Sequence, residues 1–423
     1  MREMKDSGIE WIGEIPKDWE VHPVYAYFEE GKTKNYRMQE QNLLSLSYGK
    51  IIRKDINTNG GLLPASFNTY NVIEAGDIII RPTDLQNDKR SLRTGLVKEQ
   101  GIITSAYIDL RPKDNVNSKY YHYLLHSYDI IKVFYNMGNG VRQGLNFSEF
   151  AKLLLLDPSK VQQQQIADFL DTKCSEIDAT AEDIQKEITL LEDYKTSVIT
   201  EAVTKGLNPD VEMKDSGIEY IGITPIHWNK YRLKYILLER NIRTITGEEM
   251  LLSVSQYKGV VPSKDIYNRT MQANSLIGYK IVKKDDLVFN KLNPGLARFG
   301  NSEFDGITSP DFSVYIVDDK KCTAKFLQHL LKTYKYVAKI KGDCTGVGDG
   351  FARLYSEQLY RFVVSLPPIE ELHSIVAYID SKCSEIDTLI ADKKRQLDIL
   401  ADYKKSLIYE YVTGKKEVPV KDF

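Results

Sequence analysis

A chain of 423 residues is too long for one ordinary core and suits two or three domains. Hydrophobic residues at 42% and charged residues at 27% fit a soluble globular protein. No apolar run approaches bilayer length or resembles a signal peptide, which points to the cytoplasm. The net charge of -2 excludes a uniformly basic nucleic-acid binder, and Cys174, Cys322, Cys344 and Cys383 show no CxxC pairing and read as free thiols.

In chain order, the first block is MKDSGIEWIG at 4–13, followed by Pro16 and Trp19. Short apolar or alternating runs bounded by Gly, Pro and Asn come next: LLSLSYGKI at 43–51, EAGDIII at 74–80 and ITS at 103–105. They read as strands of a small mixed domain. The aromatic-rich stretch 119–136 has helical spacing and predicts a helix packed on that sheet. FSE at 147–149 leads into an apolar run ending at Pro158. Residues 160–204 contain no Gly and no Pro, and their apolar positions Leu170, Cys174, Ile177, Ala181, Ile184, Ile188 and Leu191 follow the 4,3 spacing of a heptad seam.

The whole series then recurs. MKDSGIEYIG at 213–222 repeats the first block at an offset of 209, and is followed by Pro225 and Trp228. LLSVSQYKG at 251–259, KKDDLVF at 283–289, ITS at 307–309, the helical stretch 324–341 and YSE at 355–357 follow in the same order. DTKCSEID at 171–178 returns as DSKCSEID at 380–387, again offset by 209. The second seam runs Ile379, Cys383, Ile386, Ile390, Lys393, Leu397, Leu400, with Lys393 as its break. One offset shared by distant blocks means a tandem duplication.

The fold class that follows is α+β. Two mixed α/β recognition domains are separated by two long antiparallel helices that form an intramolecular coiled coil, in a tandem repeat with a pseudo-two-fold axis. The expected divisions are a first domain over 1–158, a scaffold helix over 159–206, a second domain over 207–367, and a second helix with tail over 368–423. A coiled coil between separate chains is the alternative, but the duplication supplies a partner within the molecule. Charge is segregated: residues 160–205 carry ten acidic against five basic side chains and residues 370–416 nine against eight, leaving +4 on the rest. A helix of ~45 residues at ~1.5 Å each is ~67 Å long, close to two turns of B-DNA at roughly 34 Å each. Diverged domains on a duplicated scaffold suit two half-sites separated by unread DNA.

Catalytic motifs are missing from the sequence. The Asn-Pro-Pro-aromatic tetrapeptide of a DNA adenine methyltransferase does not occur, the nearest strings being LNPG at 292–295 and SLPPI at 365–369. GKT at 31–33 has Ala26 where a phosphate loop needs its first glycine. PDVEMK at 209–214 sets its two acids too close for a nuclease and lies in a linker. GNGVRQG at 138–144 and TGVGDG at 345–350 follow helices rather than strands and read as helix-terminating loops. His22, His122, His126, His227, His329 and His373 are scattered and read as surface or packing residues, with no metal site.

The entry blocks with their Pro and Trp, the GVRQGLN run at 140–146 and the LPPIEE run at 366–371 resemble those of type I restriction–modification DNA specificity (S) subunits. LDPSKVQQQQ at 156–165 stands where the first copy departs from that pattern. The resemblance covers nearly the whole chain. It implies a non-catalytic subunit with two target-recognition domains, assembling on double-stranded DNA with two methyltransferase subunits and, for restriction, with two motor/nuclease subunits. It implies no cofactor in this chain, methyl donor and ATP being bound by the partners. The competing readings are a self-contained methyltransferase–recognition fusion and a coiled-coil adaptor that does not touch DNA.

Base edges are read by Arg, Lys, Asn and Gln on loops. The candidates in the first domain are Tyr48, Lys50, Arg53, the run Gln86, Asn87, Lys89, Arg90, Arg93, and Arg142 with Gln143. In the second domain they are Gln256, Tyr257, Lys258, Asn290, Lys291, Asn293, Arg298 and Arg353.

Overall fold

The computed structural model describes residues 2–57, 64, 66–83, 85, 91–137, 144–256, 259–266, 275–292, 294–345 and 352–419, the side chains of 135 and 136 excepted. The chain forms two compact units, one of Met1–Gln185 with Lys394–Phe423 and one of Lys186–Lys393.

In the first unit, the entry block makes the ribbon β1 (Met4–Asp6) with β2 (Glu14–Pro16), and β3 (Glu20–Pro23) follows. Strands β4 (Phe28–Glu30), β8 (Ile78–Ile80), β9 (Thr94–Leu96) and β11 (Ile108–Pro112) form an antiparallel sheet in the order β4-β11-β8-β9. The hairpin β5 (Leu44–Ser47)–β6 (Lys50–Arg53) and the pair β7 (Asn71–Ile73)–β10 (Gly101–Ile103) accompany it. Helix α1 (Ser118–Ile130) packs on β9, its start capped by the Asn117 side chain. The short α2 (Phe147–Phe150) begins with a capping box of Asn146 and Glu149, and β12 (Leu154–Asp157) returns to pair with β3.

The second unit repeats the plan. Its strands are β13 (Met213–Asp215), β14 (Ile223–Pro225), β15 (Asn229–Arg232), β16 (Leu237–Glu239), β17 (Leu252–Ser255), β18 (Gly259–Pro262), β19 (Lys280–Val282), β20 (Leu287–Asn290), β21 (Phe299–Asn301), β22 (Gly306–Thr308) and β23 (Phe312–Val317). The main sheet runs β16-β23-β20-β21, the same order as in the first unit. The stretch 324–341 differs from the single helix its spacing predicts. It breaks into α4 (Ala324–Leu331) and α5 (Tyr334–Gly342), where the Thr333 hydroxyl donates to the Leu330 carbonyl at 2.8 Å. Helix α6 (Ser356–Tyr360) and β24 (Val363–Leu366) close the copy, β24 pairing with β15.

The long helices are α3 (Lys160–Lys205) and α7 (Ile369–Val412). The divergent LDPSKVQQQQ segment still caps α3. The Gln162 side-chain carbonyl accepts from the Ser159 amide at 3.0 Å, and the Ser159 hydroxyl oxygen accepts from the Gln162 amide at 3.4 Å. The two helices run antiparallel within each unit. In the first, Lys404 meets Asp178 at 2.6 Å and Phe169 lies against Tyr411. In the second, Lys195 meets Asp387 at 2.7 Å and Lys393 pairs with Glu187. Lys393 is therefore not a break in the seam: its long stem lies along the helix pair while its ammonium reaches a partner carboxylate. Leu170, Cys174, Ile184, Ile188, Ile379, Ile386 and Ile390 are buried, and Ile177, Leu191, Cys383, Leu397 and Leu400 are half-buried.

Each unit's core joins sheet, entry block and helix ends. In the first, Trp19, Phe28, Tyr120, Leu124 and Leu170 pack with Leu407, Ile408, Tyr411 and Val412. The chain's last helix thus lies against its first residues: Tyr409 donates its hydroxyl to the Trp11 carbonyl, and Lys415 its ammonium to that of Ile12. In the second, Ala202 and Val203 pack with Trp228, and Leu372, Ile375 and Ile379 join the same core. Both helices stop at a glycine with positive φ, Gly206 at +81° and Gly414 at +70°, as an αL cap requires. A Cβ on Gly414 would stand 2.5 Å from the Pro16 ring, so the cap also admits the entry block.

Candidate DNA-recognition surface

The hairpin β5–β6 is closed by two residues, Tyr48 at φ +46° and Gly49 at φ +78°. Two positive φ values in a two-residue loop are the geometry of a type I′ turn, which matches the right-handed twist of the strands. Glycine accepts that conformation freely; tyrosine adopts it at a cost on the order of 1 kcal/mol. The Tyr48 ring is nevertheless 76% exposed, so no packing compensates for the strain. Local backbone strain of this kind clusters at functional sites. Below it, a Cβ on Gly49 would sit 3.1 Å from Leu92 and 3.6 Å from His126, which places the hairpin over α1.

Lys50 is exposed beside Tyr48. Arg53 is exposed too, but its guanidinium makes a two-pronged contact with the Glu99 carboxylate, Nε to Oε1 at 2.7 Å. A phosphate would have to compete with Glu99 for it. Arg93 requires correction. It is fully buried in the first unit, and its guanidinium donates to main-chain carbonyls of Arg81 and Thr83. It serves the interior of its loop and cannot reach a nucleic acid. Gln86, Asn87, Lys89, Arg90, Arg142 and Gln143 lie outside the described residues, as do Tyr257, Lys258 and Asn293 of the second unit.

In the second unit, Asn290 also needs correction. It is buried, and its side-chain oxygen accepts from the Leu292 amide at 2.9 Å, which shapes the turn instead of facing a base. Around that turn, the Asn290 amide donates to the Arg298 carbonyl at 3.0 Å, and the Leu354 amide to that of Lys291 at 3.2 Å. Arg353 pairs through its main chain with Thr345 in both directions. The fold therefore gathers Lys291, Arg298 and Arg353 from sequence positions up to 62 residues apart into one cluster, with the two arginines exposed. Gln256, at the tip of the β17–β18 hairpin, is exposed as well.

One contributor escaped the sequence reading. Lys332 is half-buried, and its ammonium donates to the Gln256 carbonyl at 3.1 Å beneath that hairpin. Burial pulls it down to about 8, within reach of a neutral pH. Its position at the end of α4 offers no periodic signal, because a lysine in a helix is by default a solvated side chain.

His122, His126 and Asp109 of the first unit are buried titrating groups. His122 and His126 stack in the first unit with ring centroids 6.0 Å apart, and burial lowers them to about 3 and about 4, so both stay neutral. Asp109 lies next to Asp77 and Arg111 under the sheet, and burial followed by the Asp77 charge raises it to about 7.

Residues 27–190 match the model of the type I restriction modification DNA specificity domain. Over 441 aligned residues the chain is 23% identical to a putative type I restriction enzyme MjaX specificity subunit of Methanocaldococcus jannaschii, covering 96% of each. In fold it is similar to a chain from a structure of a type I restriction–modification system, with TM-score 0.66 and 13% identity over 95% of this chain and 99% of that one. It is also similar to the HsdS subunit of Thermoanaerobacter tengcongensis, with TM-score 0.51 and 13% identity over 95% of this chain and 98% of the other. With its duplicated units and paired helices, the chain is similar over nearly its whole length to type I restriction–modification specificity subunits, and its residues 27–190 match the DNA specificity domain of that family.

Proposed function

We propose that the chain reads a bipartite double-stranded DNA site, one half-sequence through each recognition domain (1–158 and 207–367), while the helical segments 159–206 and 368–423 dock two methyltransferase subunits. Methyl donor and ATP bind those partners and the two motor/nuclease subunits that join for restriction. The observation that carries this reading is the pair of identically ordered sheets whose exposed hairpins differ, Tyr48-Gly49 in one unit and Gln256 in the other. Shared framework with unlike tips is what two different half-sequences demand. Tyr48, Lys50, Gln256, Arg298 and Arg353 are the side chains best placed for contact, with Arg53 available if Glu99 yields. Docking finds support in the outer helix surfaces, where Leu190, Tyr194 and Leu389 in one unit and Ile399 and Tyr403 in the other are exposed. Among the described residues no helix is long and apolar enough to cross a membrane.

Replacing residues 20–157 by the corresponding domain of another specificity subunit tests the proposal, with methylated adenines mapped across a genome. One half-sequence changes and the other persists. A simultaneous change in both halves would overturn the division of labour.

A further inference from the structure

Glu20, His22 and Asp157 place one ligand atom each within 4.8 Å of one another. Strand register explains the meeting. Glu20 and Asp157 are direct partners across β3 and β12, and His22 lies two residues along β3, where side-chain alternation returns it to the same face. Linear spacing could not reveal the trio, because the two strands lie at opposite ends of the domain.

Opposed carboxylates on adjacent strands repel each other. Here the groups that reach them are mostly neutral donors. The Tyr121 hydroxyl and the Gln163 amide donate to one oxygen of Asp157 at 2.9 and 2.8 Å, and His22 Nε2 lies 2.9 Å from Glu20. The duplication supplies an internal comparison. β15 and β24 build the same ribbon in the same register, with Asn229, Tyr231 and Leu366 at the three positions and Leu372 in place of Gln163. The ribbon therefore needs none of these donors in order to form, and the first copy carries them in addition to what its fold requires.

We propose that Glu20, His22 and Asp157 form a site for a first-row divalent transition-metal ion. One imidazole nitrogen and two carboxylate oxygens suit zinc, cobalt or manganese better than calcium, which takes oxygen ligands alone. Bonds of about 2.0–2.2 Å set ligand atoms at most about 4.4 Å apart, so small side-chain rotations complete the site. The Glu20 and His22 side chains are 70% and 42% exposed, leaving room for water on the remaining positions. Tyr121 and Gln163 hold the Asp157 carboxylate from behind, as outer partners of a metal ligand do. The ion would neutralise the carboxylate pair and tie β3 to the residues that lead into α3, independently of DNA recognition.

The experiment uses the full chain, stripped with a chelator and titrated with Co²⁺ alone, followed by visible absorption and calorimetry. The site predicts one tight equivalent and a rise in thermal midpoint. His22→Tyr, which installs the second copy's residue, and Asp157→Asn each weaken that equivalent at least tenfold. Circular dichroism of the two variants without metal reports that they remain folded. Lack of a saturable equivalent in the parent chain, or equal binding by parent and variants through its thiols, would overturn the proposal.

Discussion

Asp109→Asn is the substitution whose consequence can be worked furthest. Asp109 sits on β11 at 1% exposure with Asp77 at 2%, and Arg111 is the cation beside both, its Nη2 3.3 Å from Asp77 and 3.9 Å from Asp109. A Cβ at Gly31 would fall 1.9 Å from the Asp109 carboxylate, so the glycine makes the room that the acid occupies. In the second copy Arg240 stands in place of Gly31 and pairs with Asp286, the counterpart of Asp77, at 2.7 Å, while register puts Val314 where Asp109 would be. The first copy thus holds two acids against one guanidinium, and burial with the Asp77 charge raises Asp109 from 3.8 to about 7. The sign follows from proton counting. Between those values the folded chain keeps a proton that the unfolded chain has released, so this group's stabilisation is complete at low pH and declines as pH rises to about 7. About three pH units at 1.36 kcal/mol each bound the loss at about 4 kcal/mol. Asparagine carries no charge and removes that slope. The measurement is the thermal midpoint of parent and variant at pH 5.5 and pH 8. The variant gains on the parent by several degrees at the higher pH, and taking the difference cancels the buried His122 and His126 common to both proteins. Parallel pH profiles for the two proteins would refute the reasoning.

Three further outcomes are expected. Tyr48→Ala weakens sequence-specific DNA binding, measured by mobility shift with the methyltransferase partner, by about 1–3 kcal/mol, with little change in thermal midpoint; Arg93→Ala does the reverse, because its guanidinium is interior. Reversing charge at Lys404 or Asp178 alone lowers stability by less than about 1 kcal/mol, and the double reversal restores it, as a denaturant double-mutant cycle would report. Deleting seven residues from both α3 and α7 shortens each by about 10 Å and changes the unread spacer by about three base pairs, leaving both half-sequences as they were when methylation is mapped.

The duplication was legible because two blocks kept one offset, and the heptad seam because apolar spacing survives in each copy. Short apolar runs predicted a small sheet in each copy, but the order of its strands came only with the folded chain. Side-chain fates were less visible. Arg93 reads like any loop arginine, and only the folded loop shows carbonyls converging on it. Lys393 looks like an error in the seam until Glu187 appears across from it. The buried Asp77 lies just before β8 and Asp109 lies on β11, so their meeting is a matter of register. Nor does periodicity reveal that Tyr411 and Val412, at the end of the second repeat, complete the core around Trp19 in the first.

That closure orders the chain's birth. The unit formed by Lys186–Lys393 is contiguous, so every residue it needs has been synthesised before the ribosome reaches residues 394–423. Residues 1–185 emerge before that unit yet wait longer, with Phe169 and Leu170 lacking Tyr411 and its neighbours until residues 407–412 have been made. A premature stop near residue 394 would therefore spare the younger half and leave the older one with an open core, a sticky nascent product for chaperones to hold.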